Sequence, residues 1–384
     1  MIDPLRTLWT PLLTGGALLM CPLTSHGLAR ILGGDFFVNL QAGVEYDSNV
    51  DSSNTGEADF AFLIGPGFQY VRPDTRAELT VEGFLQVQEF IENEAEDAVN
   101  WGLEGSAQLP LVGSPLTGQL TAGVSQQTAS DSQVNERLET FRIDILGELS
   151  YQFRPKIAFT SSAGFEFEDP DTFSQNTEYT WRNELVLTEI IGQIGGFAGV
   201  ELERQTTEGT TASGELTNNN IAFLFGLNGQ LVPEGLFSKL ELDIGFGFRT
   251  VNNSTGNGSD ETIFVVDGSA VWQARVRTQV GVQASRDIDL APDDTSSVET
   301  NVNLFVIQEV GNRTIVRVEV GYEQDDFVNI DRTDDAFYAE GQVEFQANER
   351  WSITGGYTYE NRDSDLATSE FDRHFATAST VYRF

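Results

Sequence analysis

Two histidines and one cysteine are all that the 384 residues offer for general-base, nucleophilic or soft-metal chemistry. His26 and Cys21 both fall within residues 1–29, which read as an export signal, so a processed chain keeps His374 alone. His374 shares strand parity with Phe384, on what reads as an outward face, so a Ser/His/acid or Asp/His arrangement turned the other way lacks its base. Zinc-type sites need several Cys or His ligands and are not expected. Asp47, Asn49 and Asp51 match the first three ligand positions of a calcium loop, but Ser52 stands where glycine is needed and Ala58 where the bidentate Glu belongs. Carboxylates are plentiful, 59 Asp and Glu in all, and too evenly spread to single out a glycosidase pair. No catalytic, cofactor-binding or metal residue is assigned.

What remains is charge held on strands. From Asp35 onward, alternating runs are separated by connections that are long and polar, then short, in rotation. In the first run Phe36, Val38, Leu40, Ala42, Val44 and Tyr46 share one face and Asn39, Gln41, Gly43 and Glu45 the other, the period of two that a strand imposes. Equivalent runs begin near residues 60, 76, 99, 116, 139, 156, 178, 190, 219, 237, 261, 276, 297, 314, 335, 351 and 371. The expected fold is all-β: a closed antiparallel transmembrane barrel of about 18 strands, with 16 as the alternative count, short periplasmic turns and long acidic extracellular loops. A sheet spans hydrocarbon only by closing on itself, because every backbone amide and carbonyl must find a partner there. After residue 30 no run of 18 apolar residues exists, so a membrane helix is excluded from that part of the chain.

Aromatics mark both ends of the runs. Tyr46, Tyr179, Trp181, Tyr322 and Tyr359 lie toward the long connections; Tyr70, Phe153, Trp351, Tyr382 and Phe384 lie toward the short ones, as two headgroup-depth girdles require. Tyr382 and Phe384 close the last run in the manner of the strand that the barrel assembly machinery reads in outer-membrane proteins.

The opposite parity supplies candidate lumen-lining residues: Glu45, Glu78, Glu82, Glu104, Asp144, Glu148, Glu241, Asp243, Glu319, Glu340 and Glu344, with Arg142, Arg182, Arg249, Arg277, Arg317, Arg373 and Arg383 against them. The excess is acidic, and a formal net charge of -37 repels nucleic acid. Residues 1–29 carry Arg6, an apolar stretch from Leu12 to Met20 and Gly27-Leu28-Ala29 as a small-residue cleavage site, which leaves residues 30–384 as the barrel. Expected partners are outer-membrane lipid and lipopolysaccharide, the assembly machinery and a saccharide.

Gly43-Val44-Glu45-Tyr46-Asp47-Ser48-Asn49-Val50, at the end of the first run, resembles the opening of the β-barrel porin 2 family and of EpsL-type outer-membrane proteins of exopolysaccharide clusters. The resemblance is closest over residues 35–110 and implies a bacterial outer-membrane channel or scaffold linked to polysaccharide export. The acidic wall argues against a polyanionic polymer as cargo. Two functional readings follow, a passive channel for small neutral or cationic solutes or saccharide, and a non-conducting structural or adhesive barrel with acidic surface loops. A soluble secreted β-domain is the third alternative.

Overall fold

An alternating run has one greasy face and one wet face, and a sheet of such runs must hide the first from water or give it to lipid. The computed structural model shows how this chain resolves that demand. It describes residues 28–73, 77–109, 114–131, 134, 136–191, 193–208, 215–231, 239–253, 261–290, 296–327 and 332–384. The expected export signal, and most of the turns expected at Pro73-Asp74, Pro110 to Pro115 and Val232 to Gly235, lie outside the described residues.

The strands are β1 (Ala29–Ile31), β2 (Gly34–Asp47), β3 (Asp59–Arg72), β4 (Glu78–Phe90), β5 (Ala98–Leu109), β6 (Leu116–Asp131), β7 (Glu136–Arg154), β8 (Ile157–Pro170), β9 (Gln175–Ile191) and β10 (Gln193–Glu208). They continue with β11 (Glu215–Leu231), β12 (Leu240–Asn253), β13 (Glu261–Arg275), β14 (Thr278–Leu290), β15 (Ser296–Val310), β16 (Thr314–Phe327), β17 (Thr333–Gln346), β18 (Trp351–Ser364) and β19 (Phe371–Arg383). Each pairs antiparallel with its neighbours, and β19 returns to β2 with Phe375 opposite Asp47 and Arg383 opposite Asn39. β1 pairs only with β2, so the closed ring has 18 strands. The amide of Phe384 continues the seam by donating to the carbonyl of Val38 at 3.0 Å.

β1 was not legible as a strand. It folds onto β2 through Leu32 (φ 49) and Gly33 (φ 85), two successive left-handed residues, which is the backbone that a two-residue hairpin demands. A second departure concerns the polar connections. The sequence predicts loops such as 127–138 and 168–177, whereas strands continue until only 132–135 and 171–174 separate them. Above the apolar band both faces are polar, so alternation vanishes while the ladder hydrogen bonds persist. At the opposite rim β9 runs through Thr188 and Glu189, the expected turn, with Glu189 at φ 57.

Within the band the outward face is apolar: Phe60, Phe62, Ile64, Phe223, Phe248 and Leu304 are each more than half exposed. The most buried side chains are instead polar. Arg362, Gln88, Asn303, Asp325 and Asp334 are each 2 % exposed or less, an inversion of the soluble-protein rule that fits a barrel wet inside and greasy outside.

Candidate channel and its mouth

Within the band, register assigns the lumen residues, because cross-strand partners share a face. Glu45, Glu78, Glu82 and Glu104 on β2, β4 and β5, Arg142, Asp144 and Glu148 on β7, and Arg182 on β9 all lie on the inward parity, opposite the exposed apolar side chains. So do Glu241, Asp243 and Arg249 on β12, Arg317 and Glu319 on β16, and Glu340 and Glu344 on β17. Tyr382 and Phe384 share the outward parity; their rings pack at 4.9 Å, and Trp351 packs on Tyr382 at the same distance. His374 also faces outward, with the Tyr357 hydroxyl 2.8 Å from its Nδ1.

In mid-barrel, carboxylates meet directly across neighbouring strands. Glu82 is opposite Glu104, Glu166 opposite Glu178 and Glu319 opposite Glu340. Like charges in such positions repel at close range and leave the wall strongly acidic. Arginines offset it only in part, Arg142 and Arg317 each binding one carboxylate of a facing pair. Arg142 reaches Glu166 at 2.7 Å and Glu168 at 3.0 Å, Arg182 is paired with Glu184, and Arg317 holds Glu319 at 2.6 Å.

Toward the long-connection rim, charge condenses around buried arginines. Arg249 takes Glu201 at 2.5 Å and Glu203 at 2.7 Å from β10, and Asp287 at 3.1 Å from β14, so one guanidinium ties strands on both of its sides. Arg362 takes Asp325 at 2.7 Å and Asp334 at 3.3 Å, and Arg332 takes Asp334 at 2.6 Å. Guanidinium forks can satisfy several carboxylates at once, which a single lysine ammonium does less well.

The third hub closes part of the mouth. Arg373 on β19 grips Asp47 at 2.5 Å, donates to the Ser52 hydroxyl at 3.1 Å and reaches Ser130 on β6 at 3.3 Å. Strands five apart on a circular ring of 18 would stand roughly 27 Å from each other, from a spacing of ~4.8 Å and a tilt of ~40°. A 3.3 Å contact means that the rim folds inward here. The segment between β2 and β3 fills the gap: Val50 is buried against lumen-facing Ala61 and Phe90, and its carbonyl accepts from the Ser130 hydroxyl. Local polar bonds shape that segment. The Asn49 amide donates to Asp47 Oδ1 at 2.9 Å, and Asn49 Nδ2 donates to the Ser53 carbonyl at 2.8 Å, an Asx-type turn. The end of the Gly43 to Val50 stretch, on which the resemblance was read, thus leads into an inward-folded loop. Next to it Gln88 links Glu45, at 3.0 Å, to Arg137, at 2.5 Å.

Sequence reasoning placed Arg373 on the inward parity without its partners, and it missed Arg137 and Arg362 as lumen hubs, although Arg362 shares that parity. Their partners lie on strands up to five places away, and no local spacing announces that.

Comparison with known proteins agrees with this architecture. Residues 237–384, which span β12 to β19, match the family described as "Putative beta-barrel porin 2". The match falls on the last eight strands and not on residues 35–110, where the resemblance was read. No curated protein matches the chain. Among solved structures it is similar to the Pseudomonas aeruginosa outer membrane protein OpdK (TM-score 0.51, 9% identity, covering 91% of this chain and 99% of that one). It is also similar to OccK5 (OpdH) of the same organism (TM-score 0.50, 10% identity, 91% and 98% covered) and to OccK11 (OpdR) (0.50, 10%, 91% and 96%). At such identities the likeness concerns the fold.

Proposed function

We propose that this porin-like β-barrel of the bacterial outer membrane is a passive channel that favours small neutral and cationic solutes, saccharides among them, over anions. The observation that carries the reading is Glu82 facing Glu104 across β4 and β5 with no ion-paired arginine at either among the described residues, whereas Glu340 faces a Glu319 that Arg317 already holds. A low-dielectric wall focuses that negative field along the lumen and raises the local concentration of cations. An uncharged sugar pays no such Coulomb toll, and a polyanionic polymer would be repelled. A link to exopolysaccharide passage therefore fits only a polymer without dense negative charge. No step of this reading is catalytic.

The pinned mouth at Arg373, Ser130 and Val50 favours a second reading, a structural barrel closed at rest. Recordings in planar lipid bilayers under a salt gradient separate the two. Single-channel steps with a cation-selective reversal potential are expected; anion selectivity overturns the reading, and silence from both the unmodified protein and an R373Q variant supports the closed barrel.

A further inference from the structure

The two rims carry opposite charge. In the connections 48–58, 91–97, 132–135, 171–174, 209–214, 254–260, 291–295, 328–332 and 365–370 the sequence holds one basic residue, Arg332, and that one is held by Asp334. At the short-turn rim basic residues outnumber acidic ones, although the short connections also hold Asp74, Glu234 and Glu349 in the sequence and Lys156 is paired with Glu189. Strands β3, β7, β13 and β19 each end on arginine, namely Arg72, Arg154, Arg275 and Arg383. Both lysines of the chain, Lys156 and Lys239, sit in turns at this rim. With Arg30, Arg76, Arg277, Arg313 and Arg350, eleven of the chain's 22 basic residues fall in these connections or the strand ends beside them, in a protein of formal net charge -37.

Two further features point to what such a rim meets. The cations are spread around the circumference, from β1 through the β7–β8, β13–β14, β15–β16 and β17–β18 turns to β19, whereas a single soluble partner would call for one arc. They also sit one to three residues beyond outward aromatics: Phe153 before Arg154, Trp272 before Arg275, Trp351 after Arg350. Apolar tips interleave with them, Leu32 at 87% exposure near Arg30, and Val276 at 86% between Arg275 and Arg277. Rings at headgroup depth with cations just beyond and greasy tips between them match the phosphate level of a bilayer.

We propose that the short-turn rim binds anionic phospholipid headgroups of the periplasmic leaflet, each phosphodiester held by one or two of these side chains. Each basic residue near an anionic surface favours binding enough for about a fivefold preference over a zwitterionic lipid. At the opposite rim the arginines Arg249, Arg332, Arg362 and Arg373 are held by carboxylates of the barrel itself, so that rim has no such preference.

The protein supplies its own reporters. In a W101F/W181F background, Trp272 and Trp351 remain at the short-turn rim; in W272F/W351F, Trp101 and Trp181 remain nearer the acidic one. Each form is reconstituted into phosphatidylcholine vesicles that contain phosphatidylglycerol, with bromine on the acyl chains of one lipid or the other. Brominated phosphatidylglycerol is expected to quench Trp272 and Trp351 with about fivefold higher apparent affinity than brominated phosphatidylcholine. The preference should vanish near ~0.5 M salt, where the screening length is only a few ångströms, and in an R154Q/K156Q/R275Q/R350Q variant. Equal quenching by the two lipids in the unmodified rim overturns the proposal, whatever the variant does, and so does a preference shown equally by Trp101 and Trp181. An acidic soluble partner as the true occupant would give that same equal quenching.

Discussion

Asp47 and Arg373 lie 326 positions apart in the chain and 2.5 Å apart in space, at the seam where the first strand of the ring meets the last. The pair does more than mark closure. Asp47 also fixes the Asx-type turn at Asn49, and Arg373 also pins Ser52 and Ser130, so one ion pair sets both the seam and the inward fold of the β2–β3 segment.

Releasing that pair should open the mouth. In R373Q the β2–β3 segment loses its grip on Ser130 and Ser52, and single-channel conductance is expected to rise. D47N should act in the same direction. Because the two share one interaction, their effects on thermal unfolding in detergent should be non-additive, with a coupling energy of about 1–3 kcal/mol in the double-mutant cycle. Additive effects would show that the contact does not hold the loop.

Neutralising a mid-barrel carboxylate pair tests the field itself. E82Q/E104Q removes two like charges that face each other across β4 and β5. The cation-to-anion permeability ratio from reversal potentials is expected to fall toward one. Stability should stay level or rise by up to about 1 kcal/mol, since directly opposed like charges destabilise a sheet. An unchanged ratio would move selectivity away from this level of the lumen.

Much of this was legible before any coordinates, for a physical reason. A strand's period of two is local, so Phe36 to Tyr46 and Asn39 to Glu45 declare their faces by themselves, and lumen parity follows. What the alternation could not carry is anything that depends on curvature. Arg373 meets Ser130 only because the rim folds inward, and Arg249 joins Glu203 to Asp287 only because β10 and β14 flank it at the right height. Strand ends above the membrane were also hidden. In Gln127-Thr128-Ala129-Ser130 no apolar face remains to mark a strand, yet β6 keeps its ladder to β7 through Asp131.

The Arg362 hub should be the costliest to break. Arg362, Asp325 and Asp334 are nearly inaccessible, and R362M would strand the buried Asp325 without its cation while Asp334 keeps only Arg332. Loss of a partner from a buried ion pair typically costs about 3–5 kcal/mol, and urea unfolding in lipid vesicles should show a loss in that range. Adding D325N and D334N to R362M should recover part of it. A loss below ~1 kcal/mol would mean that water reaches the cluster and screens it.

The last test concerns backbone approach and not charge. At Gly65 a methyl group would stand 1.8 Å from the carbonyl oxygen of Leu85 on β4, and the paired register skips both Gly65 and Pro66, which has no amide to donate. The two strands come this close only because residue 65 has no side chain. G65A must therefore push β4 away at a point where the ladder is already interrupted, and overpacking of this kind costs about 1–3 kcal/mol. Gly341 on β17 has nothing within 4 Å of the same position, so G341A should be neutral or gain about 0.5 kcal/mol from reduced backbone freedom in the unfolded chain. The difference can be read from the temperature at which the folded band on a semi-native gel converts to the unfolded one: G65A should convert at a lower temperature and G341A should not. If the two variants melt together, the close approach at Gly65 is not a constraint on the barrel.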